Sequence, residues 1–398
     1  MEDLGQMGEM ALSAASATPL ILASYNGSVN MVRVLLDKGA AVDGRSEQGF
    51  TALFLASQLG HLEICRILIE YGADVNAKSS TRNRVTPLSL ACGQGLAEVV
   101  KILVDAGADL EHGVLDGSTA VFLCVSIGCR EKEKLPAHLA CARFLLQSGS
   151  NPNTRDTNSL TPILWASIQN CMPMVELLLE YKADPNYKAN MTGSDTLTPL
   201  MVSVSRGYLE LVRLLLKHGA NPAMPNERLW TPLHVAMQTD DESCMVEITE
   251  LLLGTKAIDI DACQGNGATP LYLAVQQRRA DVVDILLCAG ATPDICTNND
   301  MSPLERAVAH ADYEIVSLLL RHGANVKRVD KQGRTIMHVA AMVKDASIVS
   351  IAALLIERGA EVDRVSTQKG NELRPLQVAL VGGNEEIAML LLEHGAAP

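Results

Sequence analysis

Residues 197–222 read LTPLMVSVSRGYLELVRLLLKHGANP, and this stretch decides the fold. Thr198 can cap a helix N-terminus through its hydroxyl, and Pro199 suits the first helical position, where no amide hydrogen is needed. A short apolar helix is therefore predicted, followed after a glycine break by a second helix from about Leu209 with leucines at helical spacing. Gly219 suits the left-handed residue that ends this second helix. The stretch predicts a helix–turn–helix and a loop, which together are too small to bury their own apolar face.

The same motif recurs along the whole chain. Its first position is occupied in turn by Thr18, Thr51, Thr86, Thr119, Thr161, Thr198, Thr231, Thr269, Ser302, Thr335 and Arg374. The closing glycine–alanine pair recurs in step, from Gly39 to Gly395. Self-similarity at such a period is typical of repeat proteins, in which each repeat covers its apolar face with its neighbours. The chain therefore contains about eleven repeats, numbered 1 to 11 below, each with a first (inner) and a second (outer) helix.

These repeats resemble a known family. The period, the Thr-Pro-Leu-His of residues 231–234 and the Gly-Ala-Asp-Val-Asn of residues 72–76 are similar to the ankyrin repeat. The resemblance implies an all-α ankyrin-repeat solenoid of stacked helix-turn-helix units with β-hairpin-like loops over residues 17–398, preceded by a disordered or frayed lead at residues 1–16. In that family, the histidine after Thr-Pro-Leu ties neighbouring repeats together by hydrogen bonds. The resemblance implies this structural role for His234 and His338.

Composition and charge argue against several classes of protein. The net charge is −13, from 33 basic and 46 acidic residues, whereas a broad nucleic-acid-binding surface needs a basic stripe. No apolar stretch approaches the length of a membrane span, so no membrane insertion is expected. The ten cysteines are scattered without a CxxC pair, and the N-terminus lacks the pattern of a signal peptide. We therefore expect a monomer with reduced thiols in the cytoplasm or nucleus.

Catalytic and metal signatures are weak. The chain has no complete phosphate-loop, HExxH or GxSxG motif, so neither an enzyme nor a cofactor is expected. The best metal candidate is the group Cys124, Cys129, His138 and Cys141 around an insertion in repeat 4, because cysteine and histidine suit tetrahedral zinc. Their spacing matches no standard zinc pattern, and Cys124 and Cys141 also fit helix-core positions, so ordinary packing is the favoured interpretation. The insertion itself is predicted to be a surface loop.

Two local features depart from the repeat pattern. Lys182 and Lys256 stand where the other repeats have a helix-ending glycine, and a left-handed conformation there costs a lysine up to about 1 kcal/mol. Leu68 lies eight residues before Asn76, a spacing that resembles the sites hydroxylated by the hypoxia-pathway asparaginyl hydroxylase. The alternative is that Asn76 stabilises its own turn.

The resemblance places partner binding on the concave side of the solenoid, built from hairpin tips and inner helices. The residue before each repeat threonine lies at the junction of hairpin and inner helix. Large or apolar residues at this junction are the candidate contacts, namely Phe50, Val85, Leu160, Leu197, Trp230 and Met301. Trp230 is the best anchor, since tryptophan is enriched in binding hot spots, although packing on the neighbouring loop would explain the same residues. Candidate polar contacts from the inner helices are Tyr25, Arg206, Gln276, Gln277 and His310.

These patterns predict a non-enzymatic scaffold or adaptor that binds one or more partner proteins. The alternative is a targeting or regulatory domain of a larger enzyme, channel or ubiquitin ligase whose other part is absent from this chain.

Overall fold

The computed structural model describes residues 17–81, 84–114, 116–190, 196–239, 241–367 and 372–397. The predicted lead at residues 1–16 lies outside these described residues. Within them, inner and outer helices alternate as eleven pairs with almost no strand, which confirms the predicted all-α repeat class. None of the helices in the described ranges is long and apolar enough to cross a membrane.

The helices follow the repeat pattern. The inner helices are Pro19–Tyr25, Ala52–Leu59, Pro87–Gln94, Ala120–Arg130, Pro162–Ile168, Pro199–Ser205, Pro232–Ala236, Pro270–Gln276, Pro303–Ala309, Ile336–Met342 and Pro375–Gly382. The outer helices are Val29–Asp37, Leu62–Glu70, Ala97–Asp105, Leu135–Gln147, Met172–Glu180, Leu209–Lys217, Glu242–Gly254, Ala280–Cys288, Tyr313–Arg321, Ile348–Glu357 and Glu385–Glu393. A 3-10 turn, Lys132–Lys134, joins the two helices of repeat 4.

The chain divides into two compact units. The N-terminal unit comprises Met1–Ser203 and Lys217–Ala220, and the C-terminal unit comprises Val204–Leu216 and Asn221–Pro398. In each unit, leucine, isoleucine, valine and alanine side chains of successive helix pairs form the core, and many are fully buried. Burial of these apolar faces between neighbouring repeats is what stabilises such an array.

Local sequence signals set the helix boundaries. The hydroxyl of Thr161 accepts a hydrogen bond from the amide of Leu164 at 3.4 Å, and Thr269 does the same for Tyr272 at 3.2 Å. The glycines that close most repeats have positive φ, including Gly219 at 86°. Lys182 and Lys256 adopt the same left-handed conformation, with φ of 64° and 53°. The prediction that these lysines replace a left-handed glycine is confirmed.

The loops between repeats are hairpins, as predicted. In repeat 6, Ala189–Asn190 pairs antiparallel with Thr196–Leu197, with Ala189 opposite Leu197. Other loops close through one backbone hydrogen bond onto the junction residue, for example from the amide of Asn226 to the carbonyl of Trp230 at 2.8 Å.

Neighbouring hairpins are joined by hydrogen bonds between their tips. The amide of Thr367 donates to the carbonyl of Gln332 at 2.8 Å. Gly333 follows Gln332 with a φ of 75°, and a Cβ there would lie 2.7 Å from the Thr367 nitrogen. A side chain at position 333 would therefore push the two hairpins apart, which explains the glycine.

A charged network joins repeats 9 and 10. The guanidinium of Arg328 lies 2.6 Å from a carboxylate oxygen of Glu305 and 2.6 Å from one of Asp300. The other oxygen of Glu305 accepts a hydrogen bond from the amide of Ser302 at 2.7 Å and so caps the inner helix of repeat 9. Glu305 is buried, so it depends on Arg328 for charge compensation.

The insertion in repeat 4 lies at the surface, as predicted, since residues 130–134 are all exposed. It forms a shorter loop than predicted, because much of it lengthens the two helices, giving an inner helix Ala120–Arg130 and an outer helix Leu135–Gln147. Val125 and Cys129 lie four residues apart on the inner helix, and both are buried. The inner helix is longer than predicted because its last residues continue the helical spacing of buried side chains, and this extension buries surface that a loop would expose.

Candidate functional site

Three of the six junction residues are not at the surface. Phe50, Val85 and Leu160 are only 1%, 2% and 8% exposed. The centroid of the Phe50 ring lies 4.6 Å from that of Phe54, which is on the inner helix of the same repeat. Leu160 belongs to one buried cluster with Leu164, which is likewise on the inner helix of its repeat. These three side chains therefore offer no exposed surface to a partner, and packing, the alternative given for this position, explains them. The hairpin folds back onto its own inner helix, and the junction side chain becomes part of the core.

The other three junction residues are half-buried. Leu197 lies in the N-terminal unit, and Trp230 and Met301 lie in the C-terminal unit. The Trp230 amide donates to the side-chain oxygen of Asn226 at 2.9 Å, and its ring centroid lies 6.3 Å from that of His234. Part of each side chain stays accessible, so these three remain candidates for contact with a partner.

The predicted polar contacts lie at or just beyond the C-terminal ends of inner helices. Arg206, Gln276 and Gln277 are exposed, whereas Tyr25 and His310 are half-buried. The Nε2 atom of His310 is buried and has no hydrogen-bond partner among the described residues. Burial, together with the charges of Arg306 and Arg278, lowers the pKa of His310 and favours the neutral ring.

A further group of aromatic side chains gathers in the N-terminal unit. Trp165 lies on the inner helix of repeat 5, and its ring centroid is 6.4 Å from that of Phe122 on the inner helix of repeat 4. Trp165, Tyr187 and Leu197 are partly buried and pack against one apolar cluster that includes Phe122, Leu160 and Val202. Residues from three successive repeats thus share one partly exposed apolar surface.

Two arginines lie over these rings. The Cζ atom of Arg130 is 5.0 Å from the centroid of Trp165, and that of Arg155 is 4.4 Å from the centroid of Tyr187. Both distances fit cation–π stacking. Both arginines are exposed, and neither forms an ion pair with a carboxylate in the described part of the chain. We call Trp165, Tyr187, Leu197, Arg130 and Arg155 the Trp165 patch.

The sequence carries a signal for this patch at a repeat position other than the junction. Trp165 stands four residues after the repeat threonine, where repeats 2 to 4 have leucine and repeats 6 and 7 have valine. Its indole Nε1 is buried and has no hydrogen-bond partner in the described part of the chain. A tryptophan at a position that is aliphatic in neighbouring repeats marks a local change in the surface. The two arginines, by contrast, could be assigned to it only from the structure.

The candidate metal group of repeat 4 does not bring its four ligand atoms together among the described residues. The thiol of Cys124 lies near that of Cys141, whereas the thiol of Cys129 lies near that of Cys171 in repeat 5. His138 is fully buried, and burial lowers its pKa. Among the described residues, one group of histidine, cysteine and acidic side chains has its ligand atoms within 4.8 Å of one another, and that group lies in repeats 8 and 9.

The two histidines after Thr-Pro-Leu and its variant have the structural role that the resemblance implied. In His234, Nδ1 accepts from the amide of Thr231 at 3.2 Å, and Nε2 contacts the carbonyl of Ala268 in the next hairpin at 3.2 Å. His338 makes the equivalent contacts with Thr335 and Leu373, both at 3.0 Å. Burial lowers the pKa of both rings, so the neutral form that can accept at Nδ1 and donate from Nε2 is favoured.

Asn76 also joins neighbouring repeats. Its Nδ2 donates to the carbonyl of Gly107 at 3.2 Å, and its Oδ1 accepts from the amide of Asp109 at 2.7 Å. Both partners belong to repeat 3, so the side chain does more than stabilise its own turn. Hydroxylation of Asn76 stays a prediction.

A comparison with sequence families agrees with the repeat pattern. The family model described as "Ankyrin repeats (3 copies)" matches residues 6–79, 77–156, 133–226, 182–262, 223–299 and 304–398. No curated protein matches the chain.

Proposed function

The chain belongs to the ankyrin-repeat family, and on that premise we propose that it is a non-enzymatic scaffold or adaptor for one or more partner proteins. Ankyrin repeats are protein–protein interaction modules. The adaptor role is supported by a partly exposed surface of the residue types that dominate binding energy, the Trp165 patch. We further propose a cytoplasmic or nuclear location, because the six cysteines from Cys65 to Cys171 are free and buried, as suits a reducing compartment.

The Trp165 patch has the composition of an interface hot spot. Tryptophan, tyrosine and arginine are enriched among residues whose truncation costs 2 kcal/mol or more of binding energy. Here Trp165 and Tyr187 are held in place by an apolar cluster beneath them, so their conformational entropy is already reduced before binding. A preorganised aromatic surface can therefore contribute to affinity without a large ordering cost.

The charges of the patch favour one kind of partner. Arg130 and Arg155 extend into solvent over the aromatic rings, and both lack a carboxylate partner within the described ranges. The chain as a whole carries a net charge of −13, so two exposed arginines without an ion-pair partner in the described ranges, both over rings of one patch, are a local exception. We propose that the partner presents an apolar side chain to Trp165 and carboxylates to the two guanidinium groups.

Affinity purification from the native cell followed by mass spectrometry would identify the partner, and calorimetric titration would then give its affinity. We expect Arg130→Glu combined with Arg155→Glu to weaken binding by about thirtyfold or more, which corresponds to a loss of about 2 kcal/mol. Both side chains are exposed, so the fold should be retained.

Arg66→Glu is the matched control, because Arg66 is an exposed arginine on the outer helix of repeat 2. It should leave the affinity unchanged. Full affinity in the folded double variant would contradict the Trp165 patch as the interface, and Trp230→Ala would then test the junction residues. Failure to retain any specific protein would contradict the adaptor function itself.

A further inference from the structure

Three side chains of different ligand types meet on the outer helices of repeats 8 and 9. Asp284 and Cys288 lie four residues apart on the helix Ala280–Cys288 and therefore share one face. His322 directly follows the helix Tyr313–Arg321, and its Nε2 is 3.8 Å from Oδ1 of Asp284. The carboxylate, thiol and imidazole ligand atoms all lie within 4.8 Å of one another, and all three residues are exposed.

The stacking of repeats 8 and 9 brings these three side chains together. The outer helices of repeats 8 and 9 pack side by side, with Cys288 as the last residue of the first and His322 as the C-cap of the second. Both helices thus end beside the group, and helix C-termini carry partial negative charge that favours a cation. A simple ion pair between His322 and Asp284 would explain those two residues, but it would not explain the thiol of Cys288 beside them. At the position equivalent to Cys288, repeats 6 and 9 have the ordinary exposed cations Lys217 and Arg321.

The ligand set selects one class of metal ion. Oxygen, nitrogen and sulfur ligands together suit Zn²⁺, whereas Ca²⁺ and Mg²⁺ prefer oxygen alone. With metal–ligand distances of about 2.0–2.3 Å, neighbouring ligand atoms of a tetrahedral zinc site lie about 3.5 Å apart. The 3.8 Å between His322 and Asp284 is close to this value, and exposed side chains can make the remaining adjustment by small rotations.

We propose that Asp284, Cys288 and His322 form a Zn²⁺ site that joins repeats 8 and 9, with water at the fourth position. On binding, the Cys288 thiol loses its proton to solvent, while the carboxylate and the neutral imidazole donate directly. One thiolate and one carboxylate then balance the two charges of the ion. Because the ligands come from two repeats, the bound ion holds these repeats together and adds its binding free energy to their stability.

The test is metal titration of the full chain after treatment with a chelator, using Co²⁺ as a spectroscopic substitute and then Zn²⁺ by calorimetry. We expect one ion per chain, a thiolate-to-cobalt charge-transfer band in the near ultraviolet, and a rise in melting temperature with Zn²⁺. Cys288→Ser should abolish the band. Asp284→Asn and His322→Asn should each weaken Zn²⁺ binding by about tenfold or more, since each removes one of three protein ligands.

Two matched controls separate this site from unspecific binding. Cys263 is another exposed cysteine, and His218 occupies in repeat 6 the place that His322 has in repeat 9. Cys263→Ser and His218→Asn should leave the cobalt spectrum and the Zn²⁺ affinity unchanged. A spectrum that survives Cys288→Ser, Zn²⁺ binding that survives all three ligand substitutions, or no binding at all would overturn the proposal.

Discussion

Replacing His338 with alanine should uncouple repeat 11 from repeat 10. The imidazole is 1% exposed and connects the amide of Thr335, which begins the inner helix of repeat 10, to the carbonyl of Leu373 in the next hairpin. Alanine leaves both backbone groups without their partner. Leaving a buried backbone group without its hydrogen-bond partner costs about 1–3 kcal/mol. Leu373 is half-buried, so the cost for its carbonyl lies at the low end of this range. The bond to Thr335 lies within repeat 10, and only the bond to Leu373 joins the two repeats. We therefore expect a loss of about 1 kcal/mol in coupling between them.

This loss should appear as local opening, because terminal repeats of a solenoid can open without unfolding of the whole array. At 1.4 kcal/mol per factor of ten, 1 kcal/mol raises the open population of repeat 11 about fivefold. Hydrogen exchange followed by mass spectrometry would measure it in the helices Pro375–Gly382 and Glu385–Glu393. Exchange in repeats 2 and 3 should stay unchanged.

His218→Ala is the control, since His218 is an exposed histidine and its loss should change stability by about 0.5 kcal/mol or less. If His338→Ala changes exchange in repeat 11 by less than about twofold, the hydrogen-bonded bridge does not hold the repeats together, and apolar packing alone couples them.

Three further outcomes are expected. Burial lowers the pKa of His234 and His338 in the folded state, so below about pH 6.5 the unfolded chain binds more protons than the folded one. The free energy of unfolding measured with urea should therefore be steady above that pH and fall as the pH drops towards 5.5. Equal free energies of unfolding at pH 7.5 and pH 5.5 would contradict this expectation. Arg328→Met should cost about 2 kcal/mol or more in urea unfolding because it leaves the Glu305 carboxylate uncompensated, and adding Glu305→Gln should restore part of that loss. Lys182→Gly should raise the free energy of unfolding by about 0.5 kcal/mol, since it relieves a left-handed lysine; a decrease would show that the entropy of the added glycine outweighs that relief.

Residues that act within one repeat, or at the same place in every repeat, could be predicted from the sequence. The threonine caps, the left-handed glycines and their lysine replacements depend on backbone conformation a few residues away. The roles of His234 and His338 followed from a family resemblance, and each bridges to the next hairpin at a constant separation. Such features recur with the period of the chain, so one repeat is a guide to the others.

The exposure of the junction residues could not be predicted from the repeat pattern. Phe50 and Trp230 occupy the same place in their repeats, yet the first is buried and the second is half-buried. The difference depends on how each hairpin lies on its inner helix. The extent of the loop in repeat 4 was misjudged for a related reason, because Cys129 on the extended inner helix is buried beside Cys171 of the next repeat.

The sequence by itself determined the all-α repeat fold, the number of repeats and the positions of caps and bridges. Only the tertiary structure decided which side chains share a surface, as in the Trp165 patch and in the group of Asp284, Cys288 and His322. These residues belong to different repeats, so neither local spacing nor the repeat period brings them together. Their meeting depends on how neighbouring helices pack and on the direction and reach of each side chain across the gap between repeats.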